Sequence, residues 1–245
     1  MEFINAYEDT ARALSYSTLD FPGTYYLAFR DIHKLLSRHV KGWEAIDFGC
    51  GAGRSTRFLR SLGFRVVGLD ISAEMIRVAR ELDPGGDYRQ TSNGTLDGVP
   101  DTSFDLVFSA FTFDNIPTME RKTRLFNEFN RVLRPGGVVV NLVSSPEMYT
   151  HDWISIKTTC FPENYSAVSG DPVFTIITDT GDFRPVQDEL CTPGDYQSIW
   201  RSAGFKPEQV HAPLGYAHEP YPWVNEHLVA PWNIYVLRSG EQSAE

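Results

Sequence analysis

Between residues 43 and 145, short apolar runs alternate with amphipathic ones about every 20–25 residues, the spacing of strand–helix units. "WEAIDF", "FRVVGLD", "DYRQT", "FDLVFSAF" and "GGVVVNLVSS" read as strands, the last Val-rich and suited to burial on both faces. Residues 54–62, "SAEMIRVAREL" and "TMERKTRLFNEFNRVL" read as helices between them. Ser72 suits the N-cap of the second, and Pro135 and Gly136 stop the third. Such alternation predicts an α/β class fold, a doubly wound and mostly parallel sheet with right-handed crossovers. Upstream, Leu27, Ile32, Leu35, Leu36 and Val40 recur at helical spacing, which predicts one helix over 24–40 ended by Gly42.

The pattern changes after Ser145. Residues 146–182 carry three prolines, several aromatics and little periodicity. "FTIITDT" and "RPVQDELCT" flank Gly181 and Asp182 as a hairpin. "PGDYQSIWRSAGF" reads as a helix, and "KPEQVHAPL" and "WNIYVLR" as late strands that pair antiparallel. The aromatic, proline-bearing stretch 215–232 between them suits an edge cover or a subunit contact. The organisation expected is a single domain over 1–245, with a helical lid at 1–40 and a cap insertion with a hairpin at 146–190.

The net charge of −10 disfavours a nucleic-acid backbone as partner, since such binding needs clustered Lys and Arg. Cys50, Cys160 and Cys191 are odd in number and lack paired spacing, which fits a reducing compartment. No basic start with an apolar block opens the chain, and no apolar run reaches membrane-spanning length. A cytoplasmic location is expected, with a small-molecule substrate, no nucleic-acid or membrane partner, and a monomer or homodimer.

The stretch "AIDFGCGAGRST" narrows the ligand. A dinucleotide fingerprint has G-x-G-x-x-G with an acid about 20 residues on. Here Gly49 and Gly51 fit, but the third position is Arg54, and Gly53 makes the series G-x-G-x-G. Asp47 lies two residues before the first glycine, where a carboxylate aimed at the loop would repel a phosphate and attract a cation. The residue types favour a positively charged nucleoside over a pyrophosphate.

Residues 44–145 resemble a class I, Rossmann-like S-adenosylmethionine-dependent methyltransferase of the small-molecule type. "AIDFGCGAG", "VVGLDIS", "FDLVFSAF" and "LRPGGVVV" match that family's motifs in order. The resemblance implies a seven-stranded sheet with an antiparallel late strand, a small aromatic cap, and S-adenosyl-L-methionine as cofactor, with S-adenosyl-L-homocysteine as product. It places Asp47 near the methionine amino group, directly or through water. Gly49, Cys50, Gly51 and Gly53 form the close-approach loop, and Asp70 accepts both ribose hydroxyls. Ile71 and Met75 sandwich the adenine. "QTSNGTL" departs from the usual third-strand motif, so Ser92 stands where an adenine-binding Asp is common, with the Asn93 N–H beside it. Ser109, Ala110 and Phe111 lie by the methionine moiety and the methyl, and Tyr16 is a lid tyrosine near the donor.

Transfer from a sulfonium is an in-line displacement that needs placement of the acceptor more than a dedicated base. Asp114 in "FTFDNIP" can accept a proton or hydrogen-bond the acceptor, or simply cap a turn. Tyr149, His151, Asp152 and Trp153 follow the fifth strand and would reach the rim of the site. His151 is a candidate base, and Tyr149, Trp153, Asp114 and Tyr7 are candidate substrate contacts. The histidines lack metal-site spacing, and no metal is expected. The expected function is methyl transfer to a small, planar, heteroaromatic acceptor, with a ring nitrogen favoured. The N-terminus and aromatic cap resemble the azapteridine (toxoflavin-type) N-methyltransferases of bacterial toxin biosynthesis. The alternatives are O- or C-methylation of another metabolite, methylation of a macromolecule, a non-catalytic binding protein, and a nicotinamide-dependent oxidoreductase, against which Asp47 and Arg54 argue.

Overall fold

Strand β1 (Glu44–Phe48) runs through the interior with Ala45, Ile46, Asp47 and Phe48 all buried. It pairs in parallel with β2 (Arg65–Asp70) on one side and β4 (Phe104–Ala110) on the other. In this computed structural model, which describes residues 9–92 and 95–240, β3 (Asp87–Gln90) extends the sheet beyond β2. On the other side, β5 (Leu133–Ser144) is parallel to β4. Beyond it, β10 (Trp232–Ser239) is antiparallel to β5 and to the edge strand β9 (Phe205–His211). The seven-strand order is β3-β2-β1-β4-β5-β10-β9, the mostly parallel sheet with an antiparallel late strand that was expected. The order reverses between β1 and β4, so the crevice at their carboxyl ends is where such a sheet binds ligands.

Strand alternation divides the core into two layers. Val138, Val140 and Leu142 of β5 face one layer, with Leu27 of α2 (Thr24–Arg30), Leu36 of α3 (Ile32–His39) and Leu59 of α4 (Arg54–Ser61). Val139 and Val143 face the other, with Phe126 and Phe129 of α6 (Met119–Val132) and Trp200 of α7 (Pro193–Ser202). Beside the loop after β1, Ile76 and Ala79 of α5 (Ala73–Leu82) pack on Cys50 and Tyr88. Ser72 caps α5 as expected, accepting from the Met75 N–H at 3.2 Å. α1 (Thr10–Ser17) rests its Ala13 against Ala52, Met75 and Val78.

The single helix expected over 24–40 is two, α2 and α3, which meet at Asp31. The Asp31 carboxylate accepts from Arg30 at 2.7 Å and pairs with His211 Nε2 of β9 at 3.0 Å. The junction is thereby fastened to the sheet edge, a tertiary tie that helical periodicity does not encode.

A second, three-stranded sheet stands over the carboxyl ends, formed by β6 (Ile156–Lys157), β7 (Pro172–Ile177) and β8 (Val186–Glu189). The β7–β8 pair is the predicted hairpin, with Thr175 opposite Val186 and Pro172 opposite Glu189. The cap is clamped to α6 through charge. Lys122 is wholly buried, its Nζ lies 2.9 Å from Glu189 Oε1, and Glu189 also accepts the Thr118 N–H at 2.9 Å. Removing one partner of such a pair strands a buried charge. Glu189→Ala should therefore lower the unfolding free energy by about 3 kcal/mol, the low end for a buried pair because Glu189 keeps some exposure. Urea denaturation of the variant beside Lys122→Met, which removes the charge together with its need for a partner, checks this: the Lys122→Met loss should be the smaller.

Candidate active site

The carboxyl ends of β1, β2 and β4 open onto a cavity of about 860 Å³ of atom-free space, its mouth included. Gly49 and Cys50 donate their N–H groups to the Leu69 carbonyl at 2.7 and 3.0 Å, which folds the glycine loop back on β2. Asp70 ends β2. Its Oδ2 accepts the Gly51 N–H at 2.8 Å and its Oδ1 the Ser72 N–H at 2.8 Å. Gly49, Gly51, Asp70, Ile71 and Met75 line the cavity on this side, and Ala110 and Phe111 line it from β4. A Cβ built on Gly51 would meet only Met75 Sδ, at 3.9 Å, so a side chain there would project into open space meant for a ligand. Gly53 is confined differently: its φ is +81° and an added Cβ would lie 2.6 Å from the Tyr88 hydroxyl oxygen.

Asp47 does not line this cavity. Its side chain is wholly buried, and Oδ2 accepts from Ser55 Oγ at 2.7 Å and Thr56 Oγ1 at 2.6 Å in the first turn of α4. Burial pushes its pKa up to about 6 against those two hydrogen bonds. Its carboxylate therefore braces the loop from beneath, a correction to the expectation that it aims at the ligand.

Arg54, in the place of the third fingerprint glycine, reaches over the loop. Its guanidinium carbon lies 5.2 Å from the Tyr25 ring centroid, 5.5 Å from Tyr16 and Phe21, and 6.0 Å from Phe111. Nη1 donates to the Asp20 carbonyl at 2.7 Å. No carboxylate pairs with it among the described residues. Tyr16, Gly49, Gly51, Arg54 and Phe111 surround a lobe of about 390 Å³, where this cation can meet a ligand carboxylate.

A further chamber, of about 410 Å³, lies beneath the cap. It shares Tyr16, Phe111 and Asn115 with the main cavity, so these three stand at the junction. Phe111 is held at φ +63°, an uncommon backbone for a non-glycine residue, with its N–H donating to the Leu142 carbonyl at 2.8 Å. From the cap, Thr175 and Ile177 of β7 and Val186 and Asp188 of β8 face the chamber, every second residue as pleating requires. Asp114 enters from the turn after β4, accepting the Ser144 N–H at 3.0 Å and the Ser144 Oγ–H at 2.9 Å. The Tyr149 hydroxyl donates to Asp188 at 3.2 Å. Burial raises the pKa of both acids, and the charge on Asp188 raises Asp114 further.

Residues 46–141 match the family model described as a methyltransferase domain. N-demethylindolmycin N-methyltransferase of Streptomyces griseus is 26% identical over 187 residues, 75% of this chain and 78% of that one. This is a methyltransferase. Malonyl-[acyl-carrier protein] O-methyltransferase of Pectobacterium atrosepticum is 34% identical over 103 residues, 40% of this chain, which spans only 37% of that relative. An S-adenosylmethionine-dependent methyltransferase of Mesorhizobium loti superposes with a TM-score of 0.61 at 22% identity, covering 86% of this chain and 97% of that one, and shares its fold. A Methanosarcina mazei structure described as a SAM-dependent methyltransferase shares the fold, with a TM-score of 0.62 at 18% identity over 85% of this chain and 98% of that one. The open glycine turn, acid-terminated β2 and carboxylate-free Arg54 of the present chain suit a zwitterionic nucleoside such as S-adenosylmethionine.

Other candidates fall elsewhere in the methyltransferase. His151 lines none of these cavities; its Nδ1 lies 3.1 Å from both Thr150 Oγ1 and the Glu147 carbonyl. Trp153 is wholly buried and donates from Nε1 to the Met148 carbonyl, so it is core and not a substrate wall. Tyr149 is buried behind Asp188. Ser92 bonds Thr95 and Asp97 away from the cavity, which Thr91 lines instead. Ser109 is buried within β4, and Cys50 borders the Arg54 lobe. Tyr7 and Asn93 lie outside the described residues. Asp188, Arg54 and Asn115 also line these spaces and are not among the residues expected to do so. In the sequence Arg54 shows only as a break in the glycine motif, and for Asp188 strand parity within the hairpin is the available signal.

The two raised acids set a pH dependence. Lys122, Tyr149, Tyr196, Tyr235 and Cys191 are the titratable groups that face them, with Glu189 behind Lys122. Above the ordinary carboxylate value of 3.8 the unfolded chain releases the Asp114 proton while the folded chain keeps it. Folding then takes up a proton, so this contribution favours the fold at low pH and is lost as pH rises through the raised folded value. Urea unfolding from pH 4 to 8 should show Asp114→Asn gaining stability relative to wild type as pH rises.

Proposed function

We propose that the enzyme transfers the methyl group to a small, planar, heteroaromatic acceptor, with a ring nitrogen as the favoured site of attack. The observation that carries this reading is the junction: the donor cavity and the cap chamber meet at Tyr16, Phe111 and Asn115. Bound S-adenosylmethionine supplies an electrophilic methyl carbon on a sulfonium. Asp70 offers acceptor oxygens to a ribose, and Ile71 and Met75 offer apolar surface to an adenine. Gly49 and Gly51 give close backbone approach, and Arg54 answers the ligand carboxylate. Asp47 holds the loop through Ser55 and Thr56. Ala110, Phe111 and Tyr16 flank the point of transfer and keep water from it.

Three aromatic rings make the chamber wall suited to a flat acceptor. Phe111 and Trp232 centroids are 4.8 Å apart, and Tyr25 lies 5.6 Å from Phe111. The lid at 1–40 contributes Tyr16 and Tyr25, and the insertion at 146–190 roofs the chamber, so one domain supplies the whole site. The S. griseus relative is named as an N-methyltransferase, which agrees with a nitrogen acceptor. An azapteridine is one heterocycle of this kind. The free state of Cys50, Cys160 and Cys191 suits a cytoplasmic enzyme.

Isothermal titration tests the donor assignment. S-adenosylhomocysteine should bind saturably, and Asp70→Ala should weaken it at least about tenfold, the loss of hydrogen bonds to a charged group. Saturable binding of NAD in its place, or an Asp70→Ala variant that binds as wild type does, would refute it.

A further inference from the structure

The cap chamber holds two acids that the donor's chemistry does not call for. A sulfonium methyl is activated by its own charge, and placing Asp114 and Asp188 in one enclosed space costs stability. The cation nearest them, Lys122, is already paired with Glu189 at 2.9 Å. Both acids are held in place: Asp114 by the N–H and Oγ–H of Ser144, Asp188 by the Tyr149 hydroxyl. They reach the chamber from different parts of the chain, the turn after β4 and the cap strand β8, so it is docking of the cap that brings them together. Tyr25, Phe111, Trp232, Met148 and Ile177 give the wall its aromatic and aliphatic surface, and Asn115, Ser144 and Thr175 add polar groups beside the two acids. Fixed acids in a chamber of this kind favour a ligand that supplies hydrogen-bond donors.

Resting on the methyltransferase reading above, we propose that Asp114 and Asp188 together form the acceptor subsite, and that the acceptor is a planar nitrogen base bearing N–H groups. Of the two, Asp114 already accepts from the Ser144 N–H and Oγ–H whereas Asp188 accepts from the Tyr149 hydroxyl, and Asp188 is the proton acceptor. The nitrogen lone pair forms the new N–C bond as the methyl C–S bond breaks and its electron pair stays on sulfur. The N–H proton of the methylated, cationic nitrogen passes to the Asp188 carboxylate, leaving a neutral N-methyl product. Tyr149 acts through Asp188 as a positioning residue. A hydroxyl acceptor offers a single donor and would answer one of the two acids, whereas a base with two N–H groups answers both.

Binding to the protein saturated with S-adenosylhomocysteine tests this, with 2-aminobenzimidazole as the N–H probe. Benzofuran, of similar shape without N–H, and 2-naphthol, a hydroxyl probe, are the controls. The expected result is that 2-aminobenzimidazole binds at least about tenfold more tightly than either control. Asp188→Asn should erase that preference while binding S-adenosylhomocysteine as wild type does, with a melting temperature no lower at pH 7. A purely structural Asp188 would instead lower the melting temperature and leave the preference intact. The wild-type preference is informative even if the variant does not fold. Equal binding of the three probes, or an unchanged preference in Asp188→Asn, overturns the acceptor assignment alone. Failure of wild type to bind S-adenosylhomocysteine overturns the methyltransferase reading beneath it.

Discussion

The carboxylate of Asp70 is the tie on which the site depends. One oxygen holds the Gly51 N–H of the loop after β1, and the other holds the Ser72 N–H at the entry to α5. Two loops from neighbouring strands are thereby fixed to one planar group at the end of β2. Hydrogen bonds from backbone N–H groups to a carboxylate are charge-assisted and among the stronger in a protein. Both loops border the cavity and are thus tied to the end of one strand. The same carboxylate lines the cavity, so the side chain that ties the loops is also part of the wall they enclose.

Much of this was legible in the sequence, for local reasons. The strand–helix alternation, the Ser72 cap and the glycine turn are set by residues within a few positions of one another, and the structure holds them as read. Asp47 was read as facing the ligand because it ends a strand before a glycine loop. Its partners, Ser55 and Thr56, lie eight and nine residues on, and only the return of α4 over β1 brings them to it. Trp153 and Tyr149 were read as walls because they are aromatic and follow β5. Their polar atoms find Met148 and Asp188, and the rings turn into the core. Strand parity sets Asp188 on the same face as Val186, but its meeting with Asp114, distant in sequence, has no local signature.

The site is also where the fold carries its costs. Phe111 takes a left-handed backbone at the junction of donor cavity and chamber, a conformation that costs on the order of 1 kcal/mol or more. Asp47 and Asp114 are acids kept from water, and Asp188 beside Asp114 is half-buried. The surrounding layers offset this with extensive apolar burial, including wholly buried Phe108, Phe126 and Phe129. Strain and buried charge are thus concentrated in the few residues around one crevice.

Strand β8 has one more consequence. Val186 and Asp188 face the chamber, while Glu189, the next residue, turns to Lys122 and fastens the cap to α6. Odd and even positions of one short strand therefore do separate jobs, one lining the space below and the other pinning the roof to a helix. A change of side chain at position 186 alters the lining and leaves the Lys122–Glu189 pin in place.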